Sequence, residues 1–209
     1  MYVAIEGIKG SGKSTMIDSI YSELRAQYDL DVFSITAPCI EESSSKLLKG
    51  IKEQALTDDV CKEYLFFKRA CLNQKRLNPN TRFILGDRSV LTSYVTRWDR
   101  WEDPFFTMKR VDEQYKCIMK PDVFIWLRSN PNIARNQINN RQAKILGSSD
   151  ETISALEKSD EIYRELFSNN FYASDLSGKQ IVMIDHVEDK QLLKENLKSI
   201  INFYINKNN

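Results

Sequence analysis

The sequence predicts an α/β fold in which a five-stranded parallel sheet is flanked by helices. Short apolar runs rich in β-branched residues alternate with longer segments whose apolar residues recur at helical spacing. Strands separated by helical segments indicate βαβ units, which place parallel strands between two layers of helices. No internal repeat or linker-like tract divides the 209 residues, so we expect a single domain over residues 1–209.

Each predicted strand is a short, largely apolar run that ends near residues typical of turns. In chain order these runs are residues 2–5, 32–35, 82–85, 123–127 and 181–184.

The predicted helices lie between the strands and after the last of them. Residues 14–28 have apolar side chains at helical spacing, and residues 46–77 form a helical segment that breaks where Thr57 or Asp58 would cap a new helix. The final helix has an apolar face made of Leu193, Leu197, Ile200, Ile201 and Tyr204. The most loop-like interior segment is residues 141–150, where we expect a mobile insert.

Composition excludes several classes of protein. Lys and Arg total 30 and Asp and Glu total 29, a balance that argues against a nucleic acid polymer as partner. The single histidine, His186, argues against a Ser-His-Asp triad or a zinc site with several His ligands. Four widely spaced cysteines favour a reducing, cytoplasmic location. No secretory signal and no apolar run of about 18 residues is present, so no membrane partner is expected.

Residues 7–14 match the phosphate-binding pattern G-x-x-x-x-G-K-[ST] between a predicted strand and a predicted helix. Glycines let successive backbone N–H groups converge on an anion, and the helix N-terminus adds partial positive charge. We expect Lys13 to reach the β- and γ-phosphates of a nucleotide and the Ser14 hydroxyl to bind Mg²⁺. A chance match in a glycine-rich turn is the alternative. The predicted ATP and Mg²⁺ site comprises Gly7, Ile8, Lys9, Gly10, Ser11, Gly12, Lys13, Ser14 and Thr15.

Asp87 and Arg88 follow the third strand, at the sheet edge where parallel α/β folds bind ligands. A carboxylate at this position can hold Mg²⁺ or its waters, and a guanidinium can bind phosphate through two hydrogen bonds. The alternative is a surface turn with a local ion pair. Next to a phosphate-binding loop, we favour the functional interpretation.

These features together resemble the thymidylate kinase family. The resemblance rests on Glu6-Gly7 before the loop, Asp87-Arg88, the run 121–127, a lid that ends in arginine, and the helix within 156–166, all in order. It implies a P-loop kinase fold with a mobile lid at about 141–150, ATP and Mg²⁺ as cofactors, and phosphorylation of dTMP to dTDP.

Two other functions stay open at this stage. Deoxynucleoside kinases share the fold, and residues 87–90 also resemble their [DE]-R-S motif, so the acceptor could be a nucleoside 5′-hydroxyl. A non-catalytic nucleotide-binding module is the second alternative. In each case the partner is a small-molecule nucleotide or nucleoside, and the family resemblance makes a homodimer possible.

The resemblance also implies roles for individual residues. Lys13, Asp87, Arg88 and the lid residue Arg141 would form the catalytic group, with Ser14 and Asp87 at the metal. Arg69 matches a base-reading arginine, with Phe66 or Phe67 as its stacking partner, although a solvated helix arginine beside core phenylalanines fits the spacing equally well. Arg141 could equally be a helix-end cation.

The sequence departs from the family pattern on the acceptor side. Lys9 replaces the usual acidic residue, and residues 36–42 lack the arginine that normally holds the acceptor phosphate. This segment instead contains Glu41 and Glu42, which would repel a phosphate unless they face solvent. The Tyr-Gln pair expected after the Asp-Arg motif is replaced by residues 96–97, Thr-Arg.

The two candidate acceptors make different chemical demands. A monophosphate needs cations, which Lys9, Arg97 and Arg100 could supply. A neutral nucleoside needs a general base for its hydroxyl, and Glu6 is the candidate. The alternative role of Glu6 is to orient the phosphate loop.

Overall fold

Five strands and nine helices make up the secondary structure of the part of the chain that the computed structural model describes, residues 1–55, 57–97, 104–140, 151–169, 179–185 and 189–207. In chain order they are β1 (Tyr2–Glu6), α1 (Lys13–Gln27), β2 (Leu30–Ser34), α2 (Glu41–Ser44), α3 (Lys46–Gln54), α4 (Asp59–Gln74), β3 (Phe83–Asp87), α5 (Val90–Arg97), α6 (Pro104–Tyr115), β4 (Val123–Arg128), α7 (Pro131–Asn139), α8 (Ile153–Asn169), β5 (Gln180–Asp185) and α9 (Lys190–Lys207).

All five strands pair in parallel, in the spatial order β2-β3-β1-β4-β5, which confirms the predicted sheet. β1 is the central strand, with Ile5 level with Asp87 of β3 on one side and with Ile125 of β4 on the other. From β1 the chain runs toward β2 on one side of the sheet, whereas from β4, which neighbours β1, it runs toward β5 on the other side, so the connections of these two adjacent strands diverge. In open parallel sheets ligands bind beyond the carboxyl ends of strands at such a point.

The two faces of the sheet carry separate hydrophobic cores. Because side chains alternate along a strand, Tyr2 and Ala4 join the cluster that includes residues of α5, α6 and α8. Val3 and Ile5 join the opposite cluster, which is completed by α1 and α9. β1 is buried on both faces, which explains why it appears in the sequence as a continuous apolar run.

The predicted break in the helical segment 46–77 lies between α3 and α4. The Asp58 carboxylate caps α4 by accepting hydrogen bonds from the N–H groups of Val60 and Cys61, at 2.8 and 3.1 Å. Asp58, rather than Thr57, is therefore the cap. Across the described ranges, no helix is both long and apolar enough to span a bilayer.

Candidate active site

The loop between β1 and α1 has the glycine conformations expected of an anion cradle. Gly7, Gly10 and Gly12 all have positive φ, at 145°, 85° and 89°. Gly10 is also held by packing, because a Cβ built there would lie 2.4 Å from the carbonyl oxygen of Ala134 in α7. Gly12 precedes α1 and offers no side-chain cap, so the first amides of the helix point toward the loop as an anion site.

Lys13 folds back over this loop. Its ammonium donates hydrogen bonds to the carbonyl oxygens of Gly7 and Ile8, at 2.8 and 2.7 Å, and to the Ser11 hydroxyl, at 3.0 Å. The side chain is 4% exposed. A positive charge is thus held inside the concave loop, where the terminal phosphates of a nucleotide would bind.

Ser14 and Asp87 meet beside the loop, as the predicted metal site requires. The Ser14 hydroxyl donates to Oδ2 of Asp87 at 2.7 Å. The other oxygen, Oδ1, is buried and accepts no hydrogen bond from a described residue. A buried carboxylate oxygen without a donor is costly, and a hydroxyl beside a carboxylate is the hard-oxygen set that Mg²⁺ prefers. These two residues therefore fit a magnesium ion.

Arg88 adopts a strained backbone conformation next to the loop. Its φ of 72° lies in the left-handed region, which costs a non-glycine residue about 1–3 kcal/mol. Its N–H donates to the carbonyl of Ile5 at 3.2 Å, while Nη1 lies 3.3 Å from the Thr92 hydroxyl and 3.5 Å from the carbonyl oxygen of Gly7. This conformation directs the guanidinium toward the phosphate loop.

The Glu6 carboxylate is fully buried and accepts four hydrogen bonds. Oε1 accepts from the N–H and hydroxyl of Ser89, at 2.6 and 2.5 Å. Oε2 accepts from the hydroxyls of Thr92 and Tyr163, both at 2.9 Å. Burial raises the pKa of Glu6, although the hydrogen bonds from these groups and the charge of Arg88 oppose that shift.

This arrangement places Glu6 beneath the site rather than at its surface. Each carboxylate oxygen already accepts two hydrogen bonds, and the residue has 0% exposure. Glu6 fixes the position of Ser89, which immediately follows the strained Arg88. It also reaches the guanidinium through Thr92, which accepts from Arg88 and donates to Glu6.

A cavity of about 240 Å³ lies beside the phosphate loop, which contributes Gly7, Ile8 and Lys9 to its wall. Its walls come from the loop itself, from Arg88 and from helices α4, α5 and α8. Phe66 contributes an aromatic surface. Hydroxyl groups come from Thr36, Thr92, Thr96, Ser159 and Tyr163. An apolar wall with a few convergent polar groups is typical of a small-molecule site.

The structure separates the two candidate stacking residues. Phe66 lines the cavity, whereas the ring of Phe67 packs edge-on against Tyr115, with centroids 5.5 Å apart, beside the core. Of the two, only Phe66 is placed to stack against a bound base.

Arg69, the predicted base-reading residue, is not among the residues that line this cavity. Its guanidinium forms a paired contact with the Glu42 carboxylate, at 2.8 and 2.7 Å, and donates to the carbonyl of Thr36 at 2.7 Å. Arg69 is 8% exposed, so the alternative expectation of a solvated arginine is wrong.

Glu42 does not face solvent, which was the condition under which it would not repel an acceptor phosphate. It lies in α2, a helix that the sequence did not predict, and is 8% exposed. Burial acts to raise the pKa of Glu42, but hydrogen bonds from Arg69 and from the N–H of Cys39 outweigh burial and lower it. The neighbouring Glu41 is more exposed and pairs with Arg76 at 3.0 Å. The negative charge of Glu42 is thus neutralised by Arg69.

Sequence reasoning missed most of the hydroxyl groups in the cavity wall. The signal was present as helical spacing: Thr92 and Thr96 are four residues apart on α5, and Ser159 and Tyr163 are four apart on α8. Nothing in the sequence indicated which face of either helix would meet the phosphate loop.

Several residues that the sequence singled out lie outside the part of the chain that the structure describes. α5 ends at Arg97, whose side chain is not described. Arg100, Arg141, the lid at 141–150 and His186 lie outside the described residues. Their proposed roles stay predictions, as does the assignment of residues 1–209 to a single domain.

Comparisons with known proteins converge on one family. A family model described as thymidylate kinase matches residues 5–185. A probable thymidylate kinase of Methanobrevibacter smithii is 30% identical over 131 residues, covering 61% of this chain and 63% of that protein. One of Picrophilus torridus is 28% identical over 152 residues, 68% of each chain.

A solved structure supports the fold independently. The thymidylate kinase of Candida albicans superimposes with a TM-score of 0.63 at 18% identity, over 98% of this chain and 92% of that one. At this identity the likeness concerns the fold alone.

Proposed function

Because the chain belongs to the thymidylate kinase family, we propose that it transfers the γ-phosphoryl group of ATP to dTMP, giving dTDP and ADP. One observation carries the proposal. Gly7, Ile8 and Lys9 form part of the phosphate loop and also line the cavity, so donor and acceptor would meet across the same short segment. Arg88 contacts both regions, since it lines the cavity and its Nη1 lies 3.5 Å from the carbonyl oxygen of Gly7.

The donor side would use the loop amides and Lys13. These groups are fixed before ATP binds, so they can stabilise charge on the phosphates with little reorganisation. Lys13 would exchange its three contacts within the loop for phosphate oxygens. Ser14 and Asp87 would hold Mg²⁺. When bound, the ion would neutralise negative charge on the donor phosphates.

The acceptor side favours a monophosphate over a nucleoside. A nucleoside hydroxyl needs a general base within hydrogen-bond reach, and Glu6 was the candidate. Both Glu6 oxygens are occupied by protein donors, and Glu6 does not line the cavity. The phosphate of dTMP already carries nucleophilic oxygens at neutral pH and needs cations instead of a base. Arg88 and Lys9 are both in the cavity wall.

The lining of the cavity is suited to a nucleotide base. Phe66 offers a flat surface for a base, and the threonine and serine hydroxyls can pair with its polar edge. Arg69 would not read the base directly in this arrangement, because Glu42 and the Thr36 carbonyl occupy its guanidinium.

The proposed location is the cytoplasm. All four cysteines are free thiols, which supports a reducing compartment. The homodimer stays a prediction.

The decisive test is the release of ADP from Mg²⁺-ATP with dTMP, with thymidine and with no acceptor. Stimulation by dTMP would support the proposal. Stimulation by thymidine would transfer the assignment to a deoxynucleoside kinase, and no stimulation by either would indicate a non-catalytic nucleotide-binding module.

A pair of lysine variants would link that activity to the phosphate loop. Lys13→Ala should lower kcat by about 10²–10³-fold, the usual cost of removing one preorganised charged donor. Lys49→Ala, at an exposed position on α3, is the matched control and should retain full activity. An unchanged rate in Lys13→Ala, in protein whose circular dichroism shows an intact fold, would contradict the proposed role of the loop.

A further inference from the structure

Lys9 forms an ion pair at the edge of the acceptor cavity. Its ammonium lies 2.8 Å from Oε1 of Glu151, and the two side chains are 30% and 16% exposed. Lys9 lines the cavity, but Glu151 does not. The carboxylate therefore contacts Lys9 from outside the space in which an acceptor would bind.

The neighbouring structure keeps Glu151 in position. Its backbone carbonyl accepts a hydrogen bond from the guanidinium of Arg135 in α7. The phosphate loop packs against the same helix, since a Cβ on Gly10 would lie 2.4 Å from the Ala134 carbonyl oxygen. The phosphate loop and the Glu151 backbone are thus both tied to α7, and the flexible Lys9 side chain can move between partners.

Each cationic side chain in the cavity wall interacts with a carboxylate that lies outside the cavity. Among the described residues that line it, the charged ones are Lys9 and Arg88. The Thr92 hydroxyl links Arg88 to Glu6 through two hydrogen bonds, and Glu151 forms an ion pair with Lys9 directly. A phosphate monoester brings about −1.5 to −2 charge at neutral pH and can compete with the single charge of Glu151. A neutral nucleoside offers nothing in exchange for breaking the pair.

From this arrangement we propose that Glu151 and Lys9 are an exchangeable ion pair that selects for phosphorylated acceptors. Lys9 leaves Glu151 when the phosphate of the acceptor enters, and Glu151 sets the strength of binding by competing for the ammonium. Lys9 is then the specificity-determining residue, and Glu151 is a positioning residue that acts through it. The inference rests on the proposed function, because it takes a nucleoside monophosphate as the acceptor.

The test measures the dissociation constants of dTMP and thymidine by calorimetry, without ATP, so that binding is separated from turnover. Glu151→Gln removes the competing charge but keeps the backbone carbonyl that Arg135 binds. It should tighten dTMP binding by up to about fivefold, the range expected for one partly exposed ion pair, and leave thymidine binding unchanged. Lys9→Ala should weaken dTMP binding by at least about tenfold.

The double variant and a remote control make the test specific. In the Lys9→Ala background, Glu151→Gln should have no further effect, because the two residues act on one interaction. Glu23→Gln breaks a comparable Lys–Glu contact between α1 and α9 and should not change dTMP binding. Equal thermal stability of the variants would show that folding is not the cause.

Two results would overturn the inference. The first is unchanged or weaker dTMP binding in Glu151→Gln, and the second is unchanged dTMP binding in Lys9→Ala. These outcomes are distinct from failure of the proposed function. Binding of dTMP that depends on Lys9, without formation of ADP, would contradict the proposed activity and leave the ion-pair exchange in place.

Discussion

Replacing Gly10 with alanine should destabilise the protein through the phosphate loop. Gly10 has φ of 85°, and a Cβ there would lie 2.4 Å from the Ala134 carbonyl oxygen and 2.9 Å from Cγ1 of Ile138. The Ile138 side chain can move, but the carbonyl belongs to the backbone of α7 and cannot yield without shifting the helix. The substitution therefore combines backbone strain with a steric clash.

The magnitude follows from those two costs. A left-handed conformation costs an alanine about 1–2 kcal/mol, and forcing an extra carbon into a packed site costs about 1–3 kcal/mol. A loss of about 2–5 kcal/mol is a large part of the roughly 5–15 kcal/mol by which proteins are stable. For a chain of this size the melting temperature should fall by about 4–20 °C.

Thermal and urea unfolding followed by circular dichroism would measure the change, and Gly50→Ala provides a matched control. Gly50 lies inside α3, and a Cβ there would meet no heavy atom of the described residues within 4 Å, apart from its chain neighbours and the backbone of its own helix. The free energy of unfolding of this variant should rise by about 0.4–1 kcal/mol, because alanine favours the helix and restricts the unfolded chain. A Gly10→Ala protein as stable as the wild type, or a Gly50→Ala protein that loses as much stability, would show that the contact of Gly10 with α7 is not the cause.

Three further predictions concern contacts between distant elements. Glu42→Ala should lower the free energy of unfolding in urea by about 3–5 kcal/mol, because it leaves Arg69 buried without a counter-charge, whereas replacing both residues with apolar ones should cost far less. Tyr163→Phe should lower it by about 1–3 kcal/mol, by removing a donor from a buried carboxylate, and a change near zero would show that this donor is dispensable. Glu23 has its pKa lowered to about 2 chiefly by a hydrogen bond from Lys194, so its contribution to stability should be present above about pH 4.5 and lost as pH falls toward 2. Glu23→Gln should reduce the slope of stability against pH in that window, and an unchanged slope would contradict the assignment.

The donor half of the site could be predicted because it is local in sequence. The phosphate loop is one continuous segment whose glycines, lysine and serine act through backbone conformation and short-range contacts. The Asp58 cap and the break between α3 and α4 were predictable for the same reason. The five strands followed from apolar runs, since a parallel sheet covered on both faces requires them.

The acceptor half could not be predicted because its contacts join residues far apart in the chain. Tyr163 donates to Glu6 across 157 residues, and Arg69 pairs with Glu42 across 27. A sequence pattern shows that a helix has an apolar face, but not which neighbouring element that face will meet.

The sheet, the glycine-rich loop and the residues expected to bind a nucleoside triphosphate were thus predictable from local sequence patterns. Packing in three dimensions encloses Glu6 in donors, binds Arg69 to Glu42, and places Lys9 in the cavity wall with Glu151 outside the cavity. The physical reason is that the environment of a charged side chain depends on burial and on the partners that packing brings to it.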